Sequence, residues 1–313
     1  MPSAKAKPKG GMVADASHGN WVDRYAPEPL KPYARLARWD RPIGFWLLFW
    51  PCGFSLALAA VANPARGFNW LALVLMLVGA IAMRGAGCTL NDIVDTDLDA
   101  KVSRTRSRPI PSGQVTKRQA WIFLALQLLV GVAIVATFNL LTIELAALSL
   151  VLVVIYPFMK RITWWPQLFL GLAFSWGALI GWTSQTGTLG WPPLLLYAGS
   201  ILWVIGYDTI YALQDVEDDA LIGVRSTARL FGAWVKPAVG IFYAGAVVLW
   251  LAAVVSLADV RLFVALLVLP AALLGWQVAT VDAKDRRNAL ALFKMNHWVG
   301  LTLTIAIVAA AYF

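Results

Sequence analysis

The sequence predicts an all-α protein, a polytopic membrane bundle of nine transmembrane helices. Three observations carry that expectation. The 313 residues are 60% hydrophobic and only 14% charged, where a soluble chain carries about 25% charged residues. The mean hydropathy is +0.69, and the apolar residues fall in runs close to the ~20 residues a spanning helix needs. Lysine and arginine collect on alternate connections, as a fixed orientation in a bilayer requires.

Residues 1–30 read as a disordered tail on the cytosolic side. They are polar, with Lys5, Lys7, Lys9 and several prolines, and no apolar stretch follows that would make a secretory signal. Residues 31–313 then form one membrane domain. Its nine apolar cores lie at about 43–62, 70–90, 119–138, 141–158, 165–184, 191–211, 236–257, 261–280 and 293–313. Almost nothing separates the third from the fourth, which predicts a tight helical hairpin. With the N-terminus inside, the inner segments hold 23 of the 26 lysines and arginines. Only Arg66 and Arg261 fall outside, and Arg84 lies within the second helix. An odd number of crossings puts the C-terminus outside. The net charge of +9 follows from this topology and calls for no nucleic acid.

Two connections are long among short ones, at about 91–118 and 212–235, and long loops are more often functional. They carry Asp92, Asp95, Asp97 and Asp99, then Asp215, Glu217, Asp218 and Asp219, which is 8 of the 17 carboxylates. At helical spacing Asp92, Asp95 and Asp99 share one face, and Asp215 and Asp219 stand one turn apart. Stacked carboxylates repel unless a cation sits among them. Arg104, Arg106 and Arg108 follow the first ladder and Arg225 the second; close guanidinium groups favour a multivalent anion. Hard oxygen ligands beside an anion cradle describe Mg²⁺ bound to a diphosphate, held between two opposed ladders. One charge run alone reads more simply as a solvated loop. The second ladder, four helices later, favours the ligand reading and echoes an internal duplication.

Ionisable groups deep in apolar segments are costly in a bilayer and are functional candidates. Arg84 lies three turns before Asp95 on the same face, and Asp208 and Tyr211 lie on the Asp215 face. A structural ion pair between Arg84 and Asp208 explains both equally well. The run Arg38-Trp39-Asp40-Arg41-Pro42-Ile43-Gly44 enters the first helix, where the orientation rule alone accounts for basic residues. Trp46, Trp176, Trp182 and Trp203 sit deeper; they could face a carbocation, but packing is the simpler reading. Cys52 and Cys88 form no disulfide or metal motif. His18 and His297 are too few for a histidine metal site.

Two stretches resemble known motifs. Arg84-Gly-Ala-Gly-Cys-Thr-Leu-Asn91-Asp92-Ile-Val-Asp95, with Asp99 and Arg104-Thr105-x-x-Arg108-Pro109, resembles the first aspartate motif of the UbiA superfamily of intramembrane aromatic prenyltransferases. Gly206-Tyr-Asp208-Thr-Ile-Tyr211-Ala-Leu-Gln-Asp215, then Asp218-Asp219 and Arg225-Ser226-Thr227, resembles the second. The Gly-Cys before Asn91, the Tyr-Asp-Thr start of the second motif and Arg38-x-Asp40-x-Pro42-x-Gly44 are similar to the 4-hydroxybenzoate polyprenyltransferase branch. Arg225 stands where many relatives carry lysine.

The resemblance implies nine helices around a central cavity, capped by the motif loops on the cytosolic side of a bacterial inner membrane, with the C-terminus periplasmic. It implies transfer of a polyprenyl group from polyprenyl diphosphate to the ring carbon ortho to the hydroxyl of 4-hydroxybenzoate, on the route to ubiquinone. Asp92, Asp95, Asp99, Asp215 and Asp219 would be the catalytic ligands of Mg²⁺. Asn91, Tyr211, Asp208, Arg104, Arg108 and Arg225 would contact substrate. A buried benzoate carboxylate needs a cation; Arg41, or the deeper Arg84, is expected to supply it while Asp208 or Asn91 orients the ring. A transporter with intramembrane charges is the alternative outside this class, but it has no need of two ladders beside basic contacts at one surface.

Overall fold

The computed structural model describes residues 19–100, 105–257 and 261–312, apart from the side chains of Leu98 and Ile222. The described residues are helical without strands. Short helices α1 (Trp21–Tyr25) and α2 (Lys31–Leu36) lead into α3 (Ile43–Ala62), α4 (Trp70–Val94) and the single turn α5 (Thr96–Asp99). Then come α6 (Lys117–Val135), α7 (Leu140–Ile162), α8 (Pro166–Phe174), α9 (Gly177–Thr186) and α10 (Trp191–Ala212). The chain ends with α11 (Val216–Ile222), α12 (Thr227–Phe231), α13 (Val235–Val255), α14 (Arg261–Thr280) and α15 (Arg286–Tyr312). Eight helices among the described residues are long and apolar enough to cross a membrane. The protein is a multi-pass membrane protein.

The nine expected crossings thus become eight continuous helices and one broken segment. The run at 165–184 divides at Ser175 and Trp176 into α8 and α9. Close packing explains the break. A Cβ on Gly177 would meet the Cys52 backbone nitrogen at 3.0 Å, and one on Gly181 the Cys52 carbonyl oxygen at 2.7 Å. The Ser55 hydroxyl donates to the Gly177 carbonyl at 3.0 Å. The pair Gly177-x-x-x-Gly181 lets α9 approach α3 backbone to backbone, as small residues do between membrane helices.

The N-terminal segment also differs from expectation. Residues 1–18 lie outside the described residues, but 19–30, expected to share a disordered tail, are folded. Asn20 caps α1 by accepting from the Asp23 N–H at 3.0 Å, and Val22 is fully buried.

The chain divides into two compact units, Met1–Phe45 with Val78–Ile134 and Trp46–Leu77 with Val135–Phe313. In the second, α10 packs on α8, α13 and α15, and α14 packs on α15. A wholly buried polar chain crosses this unit. Tyr243 donates to Gln277 at 2.8 Å, the Asn296 amide donates to Gln277 at 3.1 Å, and Trp203 donates to Asn296 at 2.7 Å. Buried polar groups are tolerated when they satisfy one another in this way.

Candidate active site

In the first unit the aspartate ladder is helical as expected. The Asp95 N–H bonds the Asn91 carbonyl at 2.9 Å and the Asp99 N–H bonds Asp95 at 2.8 Å. This carries the helical repeat from α4 through the turn into α5. Asp92 is fully buried, Asp95 and Asp99 nearly so, and Asn91 is half-buried. Asp97, on another face, is exposed.

Two arginines meet these carboxylates. One Nη of Arg38 donates to both oxygens of Asp92, at 2.8 and 3.0 Å. Arg108 donates to Asp99 at 2.8 Å and to Asp92 at 3.4 Å. Arg108 therefore sits within the ladder. Arg104 lies outside the described residues.

Arg38 is a residue that sequence reasoning placed in the entry motif but read only as an orientation anchor, not as part of the site. It is the one non-glycine with positive φ among the described residues, at φ 59°. Its N–H bonds Arg35 at 3.1 Å and the Trp39 N–H bonds Ala34 at 2.9 Å, which together close the end of α2 in a Schellman turn. Glycine usually fills that left-handed position, and another residue there costs about 1–2 kcal/mol. The strain is offset by ties on both sides. Arg38 also donates to the Arg35 carbonyl at 2.8 Å, Arg35 pairs with Asp23 at 2.7 Å, and Trp21 donates to the Trp39 carbonyl at 2.6 Å. The folded N-terminal segment thus aims the Arg38 guanidinium at Asp92.

The remaining residues of the entry motif also have places. Asp40 is buried and pairs with Arg41 at 3.1 Å, Arg41 keeping 27% of its side chain exposed. A Cβ on Gly44 would stand 2.6 Å from Arg84 Nε, so glycine leaves the space that the half-buried Arg84 side chain fills.

In the second unit α10 carries Asp208 and Tyr211, both half-buried, and the Tyr211 ring lies 4.5 Å from that of Phe293. Asp215 caps α11, and the Asp219 N–H bonds its carbonyl at 2.7 Å. Burial, then the neighbouring Asp215 charge, push the Asp219 carboxyl up to about 6, against the pull of Arg229 and Lys160. Glu217 and Asp218 point elsewhere, exposed and facing Arg286 at 3.2 and 3.7 Å. Arg225 donates to the Ile162 carbonyl at 2.7 Å and lies over the Trp164 ring. Arg229, which the sequence did not single out, donates to the Asp219 carbonyl at 3.4 Å.

No three His, Cys, Asp or Glu side chains converge as a ready ligand set among the described residues. The donors nonetheless suit a hard divalent cation. They are carboxylates at helical spacing, buried in the first unit, where Arg38 and Arg108 meet Asp92 and Asp99, and half-buried in the second. In the second unit burial, and then the charge of the neighbouring Asp215, raise Asp219, and a cation between the two would relieve both.

The UbiA prenyltransferase family model matches residues 48–300. The mitochondrial 4-hydroxybenzoate polyprenyltransferase of Arabidopsis thaliana is 44% identical over 99% of this chain and 75% of its own length. Its Rattus norvegicus counterpart is 45% identical over 90% of this chain and 75% of its own. Among solved structures, the apo form of a UbiA homolog from Aeropyrum pernix K1 superposes with a TM-score of 0.69 at 26% identity, covering 84% of this chain and 97% of that one. A UbiA homolog from Archaeoglobus fulgidus, solved with GPP and Mg²⁺, shares the fold at a TM-score of 0.66 and 18% identity, covering 89% of this chain and 99% of that one. Sequence and fold agree over most of the chain's length, and the chain belongs to the UbiA prenyltransferase family.

Proposed function

We propose that this protein transfers a polyprenyl group from a polyprenyl diphosphate to the ring carbon ortho to the hydroxyl of 4-hydroxybenzoate, releasing diphosphate, as a step of ubiquinone biosynthesis. The observation that carries the proposal is 44% identity over 99% of the chain to an enzyme named for that acceptor. The stacking of Asp92, Asp95 and Asp99 in one buried ladder supports its metal-dependent part, because like-charged carboxylates at helical spacing favour a divalent cation among them.

Asp92, Asp95 and Asp99 in one motif, and Asp215 and Asp219 in the other, are the residues that would hold Mg²⁺. When bound, the ion acts as a Lewis acid that neutralises the leaving diphosphate. Arg108, already among the aspartates, would donate charge-assisted hydrogen bonds to diphosphate oxygens, joined by Arg104. Arg225 would have to leave the Ile162 carbonyl to do the same. The allylic C–O bond breaks with its electron pair going to diphosphate, the ring carbon attacks the cation, and its proton leaves to restore the ring. Apolar helices shield the cation from water. Tyr211, Asn91 and Asp208 would orient the substrates, and Arg41 or Arg84 would pair with the benzoate carboxylate.

Membranes containing the protein, given one polyprenyl diphosphate and several aromatic acceptors, are expected to yield prenylated 4-hydroxybenzoate and free diphosphate. Preference for another acceptor would replace the substrate assignment, and binding without diphosphate release would replace the reaction. In the same assay Arg41→Ala and Arg84→Ala separate two roles. Loss of a carboxylate contact raises the KM for the aromatic acceptor by roughly 10- to 150-fold and spares that for the diphosphate. A defect confined to the diphosphate substrate would assign these arginines to the diphosphate cradle.

The location proposed is a bacterial inner membrane with the motif loops on the cytoplasmic side. The charge asymmetry supports the orientation: with nine crossings and the N-terminus inside, 23 of 26 lysines and arginines fall on the inner side. A reporter after Phe313 should then read as periplasmic and one beside Gly113 as cytoplasmic. The reverse pattern would move the proposed site to the other face.

A further inference from the structure

We infer that Arg38 is a tethered counter-ion, which holds Asp92 while no divalent cation is bound and exchanges that carboxylate for diphosphate when substrate arrives. The inference rests on the proposed cation-dependent reaction. Asp92 has no solvent exposure, and both its oxygens already accept from Arg38. The Arg38 side chain is itself 10% exposed, so water screens the pair little. A divalent cation coordinated by Asp92 would stand beside the fixed positive charge of Arg38, with Arg108 at 3.4 Å on the same carboxylate, in a poorly screened site where like charges repel. A cation alone therefore enters against Arg38. A cation arriving with diphosphate brings negative oxygens that the guanidinium can turn to, and guanidinium groups suit phosphate geometry. The consequence is reciprocal: each of cation and diphosphate raises the affinity for the other.

The backbone supports this assignment. Arg38 occupies a left-handed position that glycine fills at lower cost, with φ 59°. The hydrogen bonds from Arg38 to Asp92 and to the Arg35 carbonyl need its side chain. A residue that only anchored topology would need neither the strain nor the aim.

The same backbone supplies the decisive variant. Arg38→Gly suits the left-handed backbone, so it removes the guanidinium, and with it the bond to the Arg35 carbonyl, while relieving the strain that bond helped to offset. Binding of Mn²⁺ alone to the purified full-length protein can be followed by the loss of the free-ion signal in electron paramagnetic resonance. Arg38→Gly is expected to bind Mn²⁺ roughly 10-fold tighter than the wild type, and at saturating Mn²⁺ to bind inorganic diphosphate roughly 10-fold more weakly. Arg38→Lys, which keeps the charge, is expected to stay close to the wild type for Mn²⁺. In the wild type, Mn²⁺ affinity should rise when inorganic diphosphate is added. Mn²⁺ affinity unchanged or lowered in Arg38→Gly overturns the inference, because a merely structural role weakens both ligands together. So does a wild type whose Mn²⁺ affinity ignores diphosphate, a measurement that needs no variant. Product formation by the wild type is read separately, so the counter-ion can fail while the proposed reaction stands.

Discussion

Asp92→Asn and Asp219→Asn are each expected to lower prenyl transfer by at least roughly 100-fold, whereas Asp218→Asn should leave it near the wild-type rate. The lower bound follows from the 10- to 100-fold losses typical when even the outer partners of a metal site are removed; these two residues are proposed to touch the ion. The contrast inside one acidic run is the informative part. Asp218 and Asp219 are neighbours in sequence, yet Asp218 is exposed and faces Arg286 at 3.7 Å, while Asp219 lies beside Asp215. Initial rates at matched expression, with Mg²⁺ varied and then removed by chelator, decide the matter. Full activity in excess chelator, or equal losses at 218 and 219, would remove the carboxylate–Mg²⁺ mechanism.

A second large effect is expected at Gly206. A Cβ there would fall 2.7 Å from Tyr243 Cδ1 and would overlap the adjacent ring carbon. The ring has little freedom to retreat, because its hydroxyl is held by Gln277 at 2.8 Å. Overpacking of a closed core costs about 1–3 kcal/mol, so Gly206→Ala should lower the unfolding midpoint of the purified protein by several degrees. Measured on a Tyr243→Leu background, which opens the space, Gly206→Ala should cost less than it does in the wild type. Equal midpoints for Gly206→Ala and wild type would show that α10 and α13 can part at no cost.

Most of the fold could be read from runs of apolar residues, because a lipid-facing helix announces itself by composition alone. The break between α8 and α9 could not. Gly177, Ala178 and Gly181 keep the run apolar, and the reason to bend is the tertiary approach of Gly177 and Gly181 to Cys52 and Ser55. Likewise residues 19–30 looked too polar and proline-rich to fold, yet a capping Asn20 and one buried Val22 suffice when Asp23 finds Arg35. The aspartates of the candidate site were legible because helical spacing brings like charges onto one face. The pairing of Arg38 with those aspartates was not: the entry motif named the residue, but a helix end in the left-handed conformation is usually signalled by glycine. Its role emerges only from the 2.8 Å contact to Asp92, 54 positions away.

The buried chain of Trp203, Asn296, Gln277 and Tyr243 also bears on how the protein enters its membrane. Translation delivers Trp203 and Tyr243 first, then Gln277 in α14, and Asn296 last of all in α15. Until Asn296 arrives, the Gln277 amide nitrogen lacks the Asn296 oxygen it faces at 3.4 Å, with only Tyr243 available to its oxygen, and an unsatisfied amide N–H is unwelcome in hydrocarbon. The connection between α14 and α15 is only residues 281–285, short enough for the two helices to leave the insertion machinery as one hairpin with their amides already paired. The buried contact between Gln277 and Asn296 therefore favours joint entry of α14 and α15 as a C-terminal hairpin.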